Sequence, residues 1–279
     1  MSHGRRRSRN RWKTGPPMGS YKPVNAVLRG LDVLAAVNKL KGRATIGELY
    51  RETAHDKATI VRMLETLIHA GYVRRDDDQG VYEVTGRSLL LCSGYDRHRA
   101  VGRTVAPIIA GFRDRVGWPS DVAIFDRDAM VVVETSRVPG RMFVIRDPGF
   151  RSPMLGTSLG LAYLAHTTAE ERAAVLANEA ATPQPWNEIA QDPSAAGALL
   201  ADIRARGYAT MHAEFSRLEY GRQISTVGVP ILVDGRSVAA MNVLYLKSAL
   251  SEDEAVAGML APLQDCAAEV ATALAADPG

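Results

Sequence analysis

The sequence is poor in cysteine, has no long apolar run, and carries none of the common metal or nucleotide signatures. Its 279 residues include two cysteines, Cys92 and Cys266. Two thiols cannot build a disulfide framework and point to a reducing compartment, read here as the cytoplasm. The longest stretch without a charge, Ser152–Ala169, is broken by Pro153, Gly156, Gly160, His166 and several hydroxyl residues. A spanning helix needs about 20 mostly apolar residues, so no membrane span is expected. The basic N-terminus is followed by no apolar segment and does not read as a secretory signal. The histidines and cysteines are scattered, with no H-E-x-x-H or C-x-x-C spacing, so no metal site is expected. No P-loop and no G-x-G-x-x-G occurs, and no cofactor is implied. The 24 glycines and 14 prolines follow no period, which excludes collagen-like and low-complexity chains.

What is present is ordinary globular composition, 46% apolar and 23% charged, enough for two modest domains. The net charge of +3 conceals a split: residues 1–80 hold 16 Lys and Arg against eight Asp and Glu, the remainder 18 against 23. A basic front on an acidic body suits a polyanion-binding module joined to a second domain. Arg5, Arg6, Arg7, Arg9, Arg11 and Lys13 supply much of the excess. Residues 1–23, polar and interrupted by Gly15-Pro16-Pro17, are expected to form a disordered basic arm.

From Val24 the pattern becomes helical. Val24, Leu28, Leu31, Leu34 and Ala35 share one face, with Asn25 as a cap and Lys41-Gly42 as the stop. Thr45 and Glu48 fit a capping box for a short second helix. Asp56 can cap a third, roughly Lys57–Ala70, with Ile60, Leu64, Leu67 and Ile68 inside and Lys57, Ala58, Val61, Arg62, Glu65 and His69 outside. Tyr72–Arg75 and Val81–Val84 alternate around a polar turn and predict a hairpin. Three helices and a hairpin in about sixty residues read as a winged helix-turn-helix, residues 24–85.

Residues 86–117 are expected to hold a linker helix and the first helix of the next domain, whose stripe is Val101, Val105, Ile108, Ile109, Phe112 and Val116. Residues 118–279 then alternate between strand and helix. Strands fit near Asp121–Phe125, Ala129–Glu134, Met142–Arg146, Tyr208–Met211, Ser225–Leu232 and Val238–Leu246. Helices fit Thr157–Ala165, Ala169–Asn178, Ser194–Arg206 and a long terminal segment after the capping box Ser251–Glu254. Asp234-Gly235 makes the last two strands a hairpin. Antiparallel strands with grouped helices predict an α+β domain.

The second helix of a helix-turn-helix lies in the DNA major groove, and its first residues reach base edges. Here those are Lys57, Ala58, Thr59, Val61 and Arg62. Arg62 can donate two bonds to guanine, worth roughly 1–3 kcal/mol of discrimination. Two readings stand for Val61: contact with a thymine methyl, or packing on a neighbour. Arg29, Arg74 and Arg75 are phosphate candidates, each equally readable as a solvated charge. Asp76, Asp77 and Asp78 should keep the wing tip away from phosphates.

One enzyme signature occurs. Gly156-Thr157-Ser158-Leu159-Gly160 is G-x-S-x-G, with His166, His212, Asp192 and Asp202 available as partners for Ser158. The elbow needs a strand immediately before it, and Pro148–Pro153 reads as loop. The competing readings are a Gly-rich turn into a helix packed closely on the sheet, or a helix start that holds a ligand carboxylate. A serine hydrolase and a ligand-independent architectural DNA-binding protein remain the alternatives to a regulator.

Ala26–Leu34, Ala58–Leu67, Gly71–Arg75, Ser152–Gly160, Arg206-Gly-Tyr208, Val227–Pro230 and Val238–Val243 together resemble the IclR family of bacterial transcriptional regulators, over about residues 24–275. Trp118–Val122 and Asp128–Thr135 look closest to the branch that controls aromatic-acid catabolism. The resemblance implies a non-enzymatic regulator. Its winged helix would bind a palindromic operator as a homodimer or dimer of dimers, and its C-terminal domain would be GAF-like, an antiparallel sheet with flanking helices. It implies an effector site for a small organic, aromatic acid at Met154, Leu155, Ser158 and Leu159, at Ser216 in a following loop, at Thr226 on one hairpin strand and at Asn242 and Leu244 on the other, with Arg222 able to swing in. Apolar walls with a few placed donors suit such a ligand. Three departures stand out: Ser216 replaces an acidic residue of some members, Leu159 a small one, and Val61 a basic or aromatic one.

Overall fold

The structure is a computed structural model that describes residues 22–92, 96–136 and 148–276. The arm up to residue 21 and the strand expected at Met142–Arg146 lie outside the described residues. The chain divides into two compact units between Asp96 and Arg97.

In the first unit α1 (Asn25–Lys39), α2 (Ile46–Glu52) and α3 (Lys57–His69) surround a core of Val33, Leu34, Val37, Leu49, Ile60 and Leu64. The Thr45–Glu48 capping box is formed, with the Thr45 N–H donating to Glu48 Oε2 at 2.8 Å. Asp56 caps α3 by accepting the Thr59 N–H at 2.9 Å. The wing hairpin is β2 (Val73–Asp76) against β3 (Val81–Val84). The unforeseen two-residue strand β1 (Arg43–Ala44) pairs with β3 on its other side. The stripe on α1 is only partly covered. Val24, Leu28 and Leu31 are exposed, and the buried face is Val33, Leu34, Ala36 and Val37. The first two turns carry an apolar stripe that the rest of this unit does not cover. Asn25 is the first helical residue, not a cap. The segment after the wing is a 3₁₀ helix, Gly86–Cys92.

The second unit is built on a six-stranded antiparallel sheet in the order β6-β5-β4-β9-β8-β7. Its strands are β4 (Ser120–Asp126), β5 (Ala129–Thr135), β6 (Arg151–Pro153), β7 (Ala209–Thr210), β8 (Ile224–Val233) and β9 (Arg236–Leu246). Along β9 the side chains alternate between two cores. Ala239, Met241, Val243 and Tyr245 pack with α4 (Asp96–Val116) and α9 (Glu252–Ala276), whereas Ala240 and Leu244 pack with the helices on the opposite face. Those are α5 (Ser158–His166), α6 (Ala169–Ala180), α7 (Pro193–Arg206) and α8 (Ala213–Tyr220). The β8–β9 turn has Asp234 at φ 51° and Gly235 at φ 74°, both positive, as a two-residue hairpin requires. The fold is α+β, as the strand and helix pattern predicts. Three elements escape the pattern: β6, α8 and a 3₁₀ helix, Pro185–Gln191. Pro148–Pro153 is therefore not all loop. Each missed element is too short for hydrophobic periodicity to register.

Candidate functional site

Two sets of residues converge on chemistry, one in each unit. In the first, the start of α3 presents Lys57, Ala58 and Arg62 to solvent, with Thr59 and Val61 half-buried. The Thr59 hydroxyl donates to Asp56 Oδ2 at 2.9 Å, so it is tied into the cap. Lys57 Nζ lies 5.9 Å from the Tyr50 ring centroid. His55 Nε2 sits 3.1 Å from Asp32 Oδ2, which fastens the turn before α3 to α1. Arg29 is exposed on α1. The wing differs from a simple cationic arm. Arg74 pairs with Glu83, Arg43 Nε approaches Glu83 Oε1 at 3.3 Å, and Arg75 Nε approaches Asp77 Oδ1 at 3.0 Å. Carboxylates thus meet both wing arginines.

In the second unit the structure gathers most of the implied effector residues where α5 meets the sheet. Met154, Leu155, Ser158, Leu159, Ser216, Thr226, Asn242 and Leu244 are all buried. Ser158 Oγ and Thr226 Oγ1 hydrogen-bond at 2.7 Å. One of their two O–H groups fills that bond, and the other is left for a further acceptor. Asn242 Oδ1 accepts the Asp121 N–H at 3.1 Å, which fixes its amide so that Nδ2 is the donor end. Asp121 in turn accepts the Thr135 hydroxyl at 2.8 Å. The Ser216 hydroxyl donates to the Ile224 carbonyl at 2.6 Å, so it ties α8 to β8 and has no proton to offer a carboxylate. It sits on α8, not in a loop. Arg222 is apart from this group: it is exposed, with φ 68°, just after the end of α8.

The glycines around Ser158 explain the packing. A Cβ at Gly160 would stand 2.2 Å from the Met154 carbonyl oxygen, and one at Gly228 2.8 Å from Ser158. Both positions need bare backbone so that α5 can press against the chain before it and against β8. Among the described residues Ser158 Oγ is bonded to Thr226 and to no imidazole. His212 instead caps α8, its Nδ1 accepting the Glu214 N–H at 3.2 Å. This is the close-packed Gly-rich turn, and the sheet it packs on is antiparallel.

Two other buried groups have shifted protonation. Burial pushes the Glu179 carboxyl up to about 7, with Asp128 adding to the shift and an Asn187 hydrogen bond opposing it. Burial pushes the Cys266 thiol up to about 11, which keeps it protonated and unreactive. No helix among the described residues is long and apolar enough to cross a membrane.

Comparison with known proteins gives matches over both units. Residues 26–77 match the IclR helix-turn-helix domain, and residues 96–272 match the bacterial transcriptional regulator IclR C-terminal domain. The chain is 26% identical to the Pca regulon regulatory protein of Pseudomonas putida, over 79% of this chain and 74% of that protein. It is 28% identical to the HTH-type transcriptional regulator TsaQ1/TsaQ2 of Comamonas testosteroni, over 55% of each, so here the chain spans about half of its relative's length. In fold it is similar to an IclR homolog from Microbacterium hydrocarbonoxydans complexed with 4-hydroxybenzoate. That match has a TM-score of 0.64 at 20% identity and covers 90% of this chain and 100% of the other.

Proposed function

The chain belongs to the IclR family of bacterial transcriptional regulators, and on that premise we propose that it is a sequence-specific, effector-responsive regulator of a catabolic operon. Residues 24–85 form its DNA-binding domain, 86–117 the linker and the first helix of the effector domain, and 118–279 the rest of the effector domain. The observation that carries the reading is the start of α3: Lys57, Ala58 and Arg62 stand exposed on a buried three-helix core beside a wing. Arg62 reads a base, and Lys57 and Arg29 meet phosphates. The protein acts in the cytoplasm as a homodimer or dimer of dimers on a palindromic operator. The exposed stripe Val24, Val27, Leu28 and Leu31 favours a second copy, since apolar residues at this spacing are commonly covered by a partner.

The effector is a small organic acid, and the 4-hydroxybenzoate bound to the Microbacterium homologue favours an aromatic one. It enters beside Met154, Leu155, Leu159 and Leu244, takes a hydrogen bond from the Ser158–Thr226 pair and another from Asn242. The closed packing at this place means that binding must part α5 from β8, which gives the ligand a way to move the domain.

The test is selection of duplexes from a random pool by the full chain, followed by competition and a thermal-shift screen. Enrichment of an inverted repeat that random DNA does not displace is the expected result. A shift of a few degrees with 4-hydroxybenzoate or protocatechuate fits a ligand at about 100 times its Kd, which adds roughly 2.7 kcal/mol. Equal competition by random DNA, with no shift by either acid, favours the architectural protein instead.

A further inference from the structure

Next to the Gly156–Gly160 turn lies a half-open groove of about 360 Å³, bordered by the Pro185–Gln191 helix, α7, β7 and the start of α8. This is within the size range of small-molecule sites, roughly 300–1,000 Å³. Of the implied effector residues only Leu155 reaches it. Leu155, Leu161 and Met211 give it an apolar wall.

Its polar groups are mostly donors. Trp186 is 7% exposed, and its Nε1–H has no hydrogen-bond partner among the described residues. An indole N–H can only donate, so it calls for an acceptor. The His212 Nδ1 accepts the Glu214 N–H, which leaves the ring proton on Nε2 as a second donor. Arg206 supplies a positive charge. It is half-buried, held by its Nε donating to the Tyr208 carbonyl at 2.8 Å and by its guanidinium lying 4.7 Å over the Tyr208 ring. Its Nη1 stands 3.5 Å from the more exposed Asp202 Oδ2, a weak competitor for the charge. The one carboxylate in the lining, Glu188, is exposed.

We propose that this groove is a second ligand site, for a small apolar monocarboxylate, distinct from the Ser158–Thr226 site. The carboxylate takes its charge from Arg206 and hydrogen bonds from Trp186 Nε1 and His212 Nε2, and the apolar body covers Leu155, Leu161 and Met211. The groove is connected to α5 through Gly156. The indole of Trp186 lies 3.1 Å from where a Gly156 Cβ would be, and the Gly156 carbonyl accepts the His212 N–H at 3.2 Å. A ligand here therefore bears on the turn that sets Ser158.

Isothermal titration of the full chain with benzoate, hexanoate and benzyl alcohol tests this. Saturable binding of at least one of the two acids, tighter than the alcohol, is expected. Arg206→Gln should raise the Kd about tenfold or more, as loss of a charge-assisted hydrogen bond does. Trp186→Phe, which keeps the ring and removes the donor, should weaken binding by a smaller factor; Arg206→Gln, at a partly exposed position, decides the matter should Trp186→Phe not fold. The proposal is overturned by failure of both acids to bind, by a Kd unchanged in Arg206→Gln, or by acid binding that Thr226→Val abolishes and Arg206→Gln does not.

Discussion

Ser158 and Thr226 share a 2.7 Å hydrogen bond across the junction of α5 and β8, both side chains inside the core. The contact exists because Gly228, two residues along β8, leaves room for the Ser158 backbone and side chain. A G-x-S-x-G sequence is thereby put to a packing use: Gly160 clears the Met154 carbonyl, and the serine pairs with a threonine.

That pair should behave as a unit. Thr226→Val strands the Ser158 hydroxyl in the core, and Ser158→Ala strands that of Thr226. Each single change should cost about 1–3 kcal/mol, whereas the double change should cost clearly less than their sum. Urea unfolding of the four proteins gives the coupling energy. Additive losses would mean that the two hydroxyls do not depend on one another.

The wing and the arm should divide the DNA energetics unevenly. Arg74 and Arg75 are engaged with Glu83 and Asp77, so Arg74→Ala and Arg75→Ala should change affinity little. Arg62→Ala should lose roughly 1–3 kcal/mol for the selected site and relax its sequence preference. Arg5, Arg6, Arg7, Arg9, Arg11 and Lys13 bring six charges per chain; replacing all six by Gln should flatten the slope of log K against log salt by up to about five for each protomer bound. Anisotropy titrations at several salt concentrations separate these effects, and an unchanged slope would remove the arm from the interface.

Glu179 should make stability fall with pH. Its folded carboxyl titrates at about 7 against the ordinary 4.5, so between those values the unfolded chain has lost a proton that the folded one keeps. Stability is then full below pH 4.5, declines up to about 7, and is level above it. Glu179→Gln should abolish that decline and be the more stable protein at pH 8, by about 3 kcal/mol at most. Unfolding curves of both proteins at pH 5 and pH 8 measure this. A wild type equally stable at the two values relative to the variant would refute it.

Local chemistry was legible where a side chain acts on its own neighbourhood. The caps at Thr45, Asp56 and Ser251, the Asp234-Gly235 hairpin and the end of α7 at Gly207 all follow from residues a few positions apart. The coverage of the α1 stripe was not. Val24, Leu28, Leu31 and Leu34 have helical spacing, yet periodicity states which residues share a face and not how much of that face is covered. α8 was equally hidden: eight residues give barely two turns, and Ser216 is polar on the buried side because its hydroxyl finds the Ile224 carbonyl.

The sequence by itself determined the elements, the winged helix followed by an antiparallel α+β unit, and the family, because helix, strand and cap preferences are local and the motifs recur in order. Only the tertiary structure decided which hydroxyls meet, which arginines are already paired, and where a groove remains. Ser158 and Thr226 lie 68 positions apart, and Asp121 and Asn242 lie 121 apart. Nothing in local spacing brings such residues together; the sheet register and the bare backbone of Gly160 and Gly228 do.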